Sequence, residues 1–97
     1  MIQRFVHMHF PEQEVHLFLD LFNQHKEQIA AQPGCCSVHL VQSPLDPGDI
    51  RTISLWESEG DLHRYRKSEL FGRVWPATKA LFDKPPFAES LEVLWAS

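Results

Sequence analysis

At 97 residues, 43% of them hydrophobic and 23% charged, the chain has the size and composition of one globular domain with a single modest core, spanning residues 1–97, and not of a disordered segment. Nine basic residues against 13 acidic ones give a net charge of −4, which excludes the basic footprint that nucleic acid or an anionic lipid surface calls for. No run approaches the roughly 20 apolar residues of a membrane span, and "MIQRFVHMHF" lacks the apolar stretch and cleavage site of a secretory signal, so the expected compartment is the cytoplasm.

The alternation in "MIQRFVHMHF" places Ile2, Arg4, Val6, Met8 and Phe10 on one face and Gln3, Phe5, His7 and His9 on the other, which predicts a strand. From Pro11 to Ala31 the period becomes helical. Pro11 suits a first helical position, Glu12 and Glu14 complement the N-terminal dipole, and Pro33-Gly34 ends the run. "CCSVHLVQ" and "RTISLWES" predict the two strands of a hairpin, joined through Asp46-Pro47-Gly48-Asp49 as a type II turn. Cys35 and Cys36 are neighbours, so in a strand they point to opposite faces and do not form a strain-free disulfide; both are expected reduced, and no CxxC motif is present. Ser58 with Asp61 predicts the cap of a second helix that carries Leu62 and Tyr65. Pro76 predicts a break in it, with "SELFGRVW" as a short turn and a new helix from Pro76 through Phe82. After "DKPPFAE", the alternating "SLEVLW" predicts the last strand.

The order β-α-β-β-α-β is that of a ferredoxin-like α+β fold, an antiparallel sheet with its helices on one face. The bare face of such a sheet should alternate to polar. Here Phe5 lies on it, and the last strand carries Leu91, Val93 and Trp95 on one side with Leu94 on the other. In the long helix Val15, Leu17, Phe18, Leu19, Leu21, Phe22 and Ile29 cover an arc of roughly 200°, about twice the usual apolar stripe. One sheet cannot cover that much, and a second copy of the chain is the expected partner.

Through "PGC", "SLWES", "YRKSELF", the run from Trp75 to "TKALF", and "AESL", the chain resembles the antibiotic biosynthesis monooxygenase family of the dimeric α+β barrel superfamily. The resemblance implies a homodimer in which two sheets close a barrel face to face, with a cavity in each subunit between sheet and helices. Some relatives oxygenate quinols or polycyclic phenols without metal, flavin or other cofactor, while others degrade haem or isomerise small molecules, and the fold alone does not choose among them. Relatives that degrade haem carry an asparagine in the first strand, a tryptophan at the position of Tyr65 and a haem-ligating histidine at that of Trp75. This chain departs from all three, which argues against haem degradation.

Thr52, Ser54 and Trp56 share one strand face and would give a cavity two hydroxyls and an indole, the mixture a flat aromatic ligand favours. The plainer alternative is that Trp56 anchors the strand to the next helix. Tyr65 would either offer its hydroxyl to a substrate oxygen or serve as plain core with a solvated tip, and Trp75 would serve as cavity or core wall. His7 and His9 share a face that His39 can join. Three readings stay open there: a facial metal set, a general base for a phenolic proton, or hydrogen bonds across a dimer barrel. The expectation is no metal, with His7, His9 and Tyr65 as the catalytic candidates. His16 and His25 are expected at the surface, and His63 next to the cavity. The reaction expected is cofactor-independent monooxygenation; the alternative from another class is a dimer that binds a small aromatic molecule without turnover.

Overall fold

The structure is a computed structural model that describes residues 1–97. Four strands, β1 (Ile2–His9), β2 (Cys35–Gln42), β3 (Asp49–Trp56) and β4 (Phe87–Glu92), form one antiparallel sheet in the order β2-β3-β1-β4. The helices are α1 (Val15–Ala30), α2 (Glu59–Arg66) and α3 (Glu69–Lys79), with a short 3-10 turn at Glu12–Glu14 leading into α1. This is the ferredoxin-like α+β arrangement that the element order predicts. No helix is long and apolar enough to cross a membrane.

β1 pairs with β3 from Ile2 opposite Trp56 to His9 opposite Asp49, and on its other edge with β4 from Ile2 opposite Glu92 to His7 opposite Phe87. This register sets the even residues of β1, β3 and β4 on one face and the odd residues on the other. The even face meets the helices. Met8, Phe10 and Ile50 pack there with Val15 and Phe18, and the Phe10 and Phe18 rings stack with centroids 4.5 Å apart. Burying each such side chain contributes about 1.5–3 kcal/mol. The odd face carries Phe5, Ile53 and Leu55, flanked by exposed Val41, Phe87 and Leu91.

Four local expectations are corrected. The hairpin turn is not type II, because Gly34 is the one glycine with positive φ, at 82°. Instead Asp49 N–H donates to the Asp46 carbonyl at 3.1 Å, and the Asp46 carboxylate accepts from Gly48 N–H at 3.0 Å. Gly48 is needed for closeness: its carbonyl accepts from Phe10 N–H at 2.9 Å, and a Cβ there would strike the Phe10 carbonyl oxygen. The positive φ belongs to Gly34, which ends the α1 connection, and a Cβ at that position would overlap the Asp61 side chain.

The second helical region breaks at Lys67–Ser68 and not at Pro76. Ser68 caps α3 by accepting from Phe71 N–H at 3.1 Å, and Pro76 sits inside the continuous helix. Its missing N–H frees the Gly72 carbonyl, and both residues are exposed, so water can take the lost bond. β4 begins at Phe87, earlier than expected, so "AESL" lies within it, and it ends at Glu92. Val93 N–H still reaches the Met1 carbonyl at 3.0 Å, but Leu94 and Trp95 lie past the strand and are 94% and 83% exposed. β1 has no residue left to pair with them. In α1, Val15, Phe18 and Ile29 are buried while Leu17 is 46% exposed, so the chain's own sheet covers only part of the apolar arc.

Candidate functional site

A cavity of about 280 Å³ lies between the even face of the sheet and the helices. Alternation puts Arg4, Val6 and Met8 of β1 beside Thr52, Ser54 and Trp56 of β3 as its floor. Phe18 and Phe22 of α1, Tyr65 and Arg66 of α2, and Phe71 and Trp75 of α3 form its walls.

The aromatic side chains form a connected series. Trp56 stacks on Tyr65 with centroids 5.2 Å apart, Tyr65 meets the Phe71 ring edge-on at 5.3 Å, and Phe71 stacks on Trp75 at 5.9 Å. These separations suit favourable ring contacts. Trp56 is 1% exposed, and its indole N–H donates to the Ser54 hydroxyl at 3.0 Å, which fixes the ring and leaves the Ser54 proton free to be donated. The Thr52 and Tyr65 hydroxyls have no hydrogen-bond partner within the protein. Burial first, and then the nearby Cys35 thiol, push the Tyr65 hydroxyl up to about 12. At neutral pH it is a proton donor and not a base.

Two charged side chains line the cavity, Arg4 and Arg66. Arg4 donates from Nη1 to the Ser90 hydroxyl at 3.1 Å. Burial, and secondarily repulsion from Arg66, hold its guanidinium below the ordinary value.

The structure thus brings together Thr52, Ser54, Trp56, Tyr65 and Trp75 around one cavity, and it leaves His7 and His9 outside it. Both histidines occupy odd positions of β1, whose side chains turn away from the helices. His7 Nε2 lies 2.9 Å from Asp49 Oδ1. His9 is held between Asp83, 2.6 Å from Nδ1, and Asp46, 2.8 Å from Nε2. His39 lies on β2 with an exposed side chain, and no group of three or more His, Cys, Asp or Glu side chains is arranged to hold a metal ion. His16 and His63 are exposed and His63 does not line the cavity; His25 is half-buried, with Nδ1 2.9 Å from the Leu21 carbonyl. Cys35 and Cys36 are both free thiols.

Sequence reasoning passed over Arg4 and Arg66 as site residues. The signal for Arg4 was present, a lone charge in the apolar alternation of Ile2, Val6 and Met8. Nothing local distinguished Arg66 from its neighbours Arg64 and Lys67.

The family model described as antibiotic biosynthesis monooxygenase matches residues 1–75, the segment that contributes every cavity residue except Thr78 and Ala88. The chain belongs to the antibiotic biosynthesis monooxygenase family. Among similar solved structures, one described as an antibiotic biosynthesis monooxygenase shares 19% identity over 97% of this chain and 99% of that one, with a TM-score of 0.90. Rv0793 from Mycobacterium tuberculosis shares 17% identity over 99% of this chain and 97% of its own, with a TM-score of 0.90. A conserved protein from Methanosarcina mazei Go1 shares 20% identity over 93% of this chain and 89% of its own, with a TM-score of 0.89. At these identities the likeness speaks for the fold alone. No curated protein matches the chain.

Proposed function

We propose that this member of the antibiotic biosynthesis monooxygenase family oxidises a planar quinol or polycyclic phenol with molecular oxygen, without a metal or organic cofactor, as a homodimer. The observation that carries the reading is the aromatic cavity with a few polar groups on its floor. Its volume of about 280 Å³ is roughly twice the ~150 Å³ that accommodates benzene, which suits a fused ring system.

The reaction balances without an added reductant. For a quinol, one oxygen atom enters at a ring C–H to give a hydroxyquinone, and the other leaves as water with two substrate hydrogens. All four electrons that reduce oxygen come from the ring. The ionised substrate is the electron donor, so the protein's part is to orient it, keep bulk water away and hold developing negative charge. Trp56, Phe71 and Trp75 supply the flat walls, and the Tyr65, Thr52 and Ser54 hydroxyls supply donors. His7 and His9 have no part in this reading, because no imidazole or carboxylate lines the cavity. That same lack of a base favours a second reading, a binding protein without turnover.

Oxygen uptake separates the two. With purified protein and a panel of naphthalene and anthracene quinols, protein-dependent oxygen consumption and a hydroxyquinone product are expected, and Tyr65→Phe should lower kcat by about 10²-fold if its donor holds the oxyanion. Uptake no faster than autoxidation across the panel would leave the binding reading.

A further inference from the structure

We infer that the ligand of this cavity binds as an anion, its negative group held by the guanidinium groups of Arg4 and Arg66 and its ring system by the aromatic wall. The inference rests on the aromatic, ionised ligand of the proposal above and adds the residues that hold its charge and so set its orientation.

The cavity runs against the charge of the chain. The whole sequence carries −4, yet the charged residues lining the cavity are two arginines, with no carboxylate among the lining residues. Outside the cavity Arg51 reaches Asp49 at 3.1 Å and Arg64 reaches Asp61 at 3.4 Å, and the unpaired Arg73 is exposed to solvent. Neither Arg4 nor Arg66 makes an ion pair. Glu92 shares the sheet face of Arg4, two residues beyond Ser90, and makes no ion pair with it.

Two like charges held together beside an apolar space, one of them half-buried, disfavour each other, and a bound anion reverses that. The depressed proton affinity of Arg4 reports the same repulsion and burial. Geometry supplies the donors. A guanidinium carries five N–H groups and no acceptor. Arg4 commits one bond to Ser90, which steadies the side chain in register between Ser90 on β4 and Ser54 on β3. Its remaining donors, with those of Arg66 at the end of α2, form a fork that suits a planar carboxylate or an ionised hydroxyl beside a carbonyl. Arginine rather than lysine is the residue expected for such a contact.

The two sources of the anion are distinguished with matched probes measured by calorimetry at low salt. 2-Naphthoate is compared with 2-naphthamide, and ionised 2-hydroxy-1,4-naphthoquinone with neutral 1,4-naphthoquinone. The anion should bind at least about 10-fold more tightly than its neutral partner in one pair or both, and the pair with the larger preference names the anion. Arg4→Gln and Arg66→Gln should each remove the preference while neutral probes bind as before. Arg66 is exposed, so its variant folds even if the Arg4 variant does not. Equal binding of the two members of both pairs, tighter binding of the neutral ones, no binding of either anion, or a preference that survives both substitutions overturns the inference. Oxygen uptake is scored separately. Protein that prefers anions and consumes no oxygen loses the monooxygenase reading alone, and protein that oxidises neutral quinols with no anion preference loses this one alone.

Discussion

The two faces of the sheet are built from alternate residues of the same strands, yet one is closed by the chain's own helices and the other has nothing of this chain over it. On the inner face Met8, Ile50 and Trp56 are 2%, 1% and 1% exposed. On the outer face Val41, Phe87 and Leu91 are 41%, 60% and 50% exposed. A sheet with one solvated side should alternate to polar residues there. This one carries Phe5, Ile53 and Leu55 at its centre, with Glu89 beside Phe5 on β4, and gathers its ion pairs at the end where His7, Asp49, Arg51 and His9 meet. The lesson is that the inner face is closed by the chain's own helices over β1 and β3, with Ala88, Ser90 and Glu92 of β4 still exposed, whereas the apolar outer face would be covered by the proposed second copy.

The strongest way to break the comparison is to charge the outer face. Phe5 stands at its centre, opposite Ile53 and Glu89 on the flanking strands. If the interface is of obligate size, above about 2,000 Å², its apolar area removed from water at about 25 cal/mol per Å² outweighs association costs, and folding and pairing become linked. Wild-type protein should then sediment as a dimer at micromolar concentration. Phe5→Asp should abolish the dimer and lower the thermal midpoint together. A wild-type chain that sediments as a fully folded monomer would show that the outer face needs no cover.

A smaller effect is expected on the inner face, and of a different kind. Trp56→Ala removes a ring that is 1% exposed and stacked on Tyr65, so it should cost about 3–5 kcal/mol in urea unfolding, through lost burial plus the enlarged cavity. The variant that remains folded should still be dimeric, because Trp56 faces away from the outer side. Loss of dimer without loss of stability in this variant would contradict the assignment of faces.

Much of this division was legible before any coordinates. Strict alternation in β1 and β3 has period two, so Thr52, Ser54 and Trp56 had to share a face whatever the register, and Phe5 had to oppose Val6. The same parity already separated His7 and His9 from Val6 and Met8. Placing Phe5 on the bare face also placed His7 and His9 there, and the structure accordingly leaves both histidines outside the cavity. The Arg4–Arg66 pair depends on α2 packing back against β3, which brings residues far apart in the chain to one cavity. Local errors came from reading prolines and glycines too simply. Pro76 sits on an exposed helix surface where water can take the lost backbone bond, and Gly48 serves close approach, not a positive φ. The end of β4 was misplaced because "SLEVLW" keeps alternating beyond the last residue that β1 can pair.

The smallest effect is expected at the ionic end of the outer face, where His9 joins three segments. Its Nδ1 is 2.6 Å from Asp83 in the segment after α3, and its Nε2 is 2.8 Å from Asp46 in the hairpin turn. Both ring nitrogens face carboxylate oxygens, which favours the doubly protonated cation. The bond to Asp83, then that to Asp46, raise the His9 pKa above its ordinary 6.5, with partial burial and then Lys84 opposing. His9 and then the Gly48 N–H lower that of Asp46 from 3.8. The signs follow from linkage. The raised histidine contributes stability that is whole below pH 6.5, the unfolded value, and is lost as pH climbs through the higher folded value. The lowered aspartate contributes stability present above pH 3.8 and lost as pH falls through its folded value. Between these limits the clamp is fully formed, so stability from this site should be level in mild acid and decline as pH rises above 6.5. The groups are open to solvent, so the decline should be small and weaker still in high salt. Urea midpoints measured from pH 5 to 9 should show that decline in wild-type protein and a flatter profile, lower on the acid side, in His9→Gln. A His9→Gln profile parallel to that of the wild type would mean that the clamp does not set the pH response of this face, and that its charges are held in place by the sheet instead of helping to hold it.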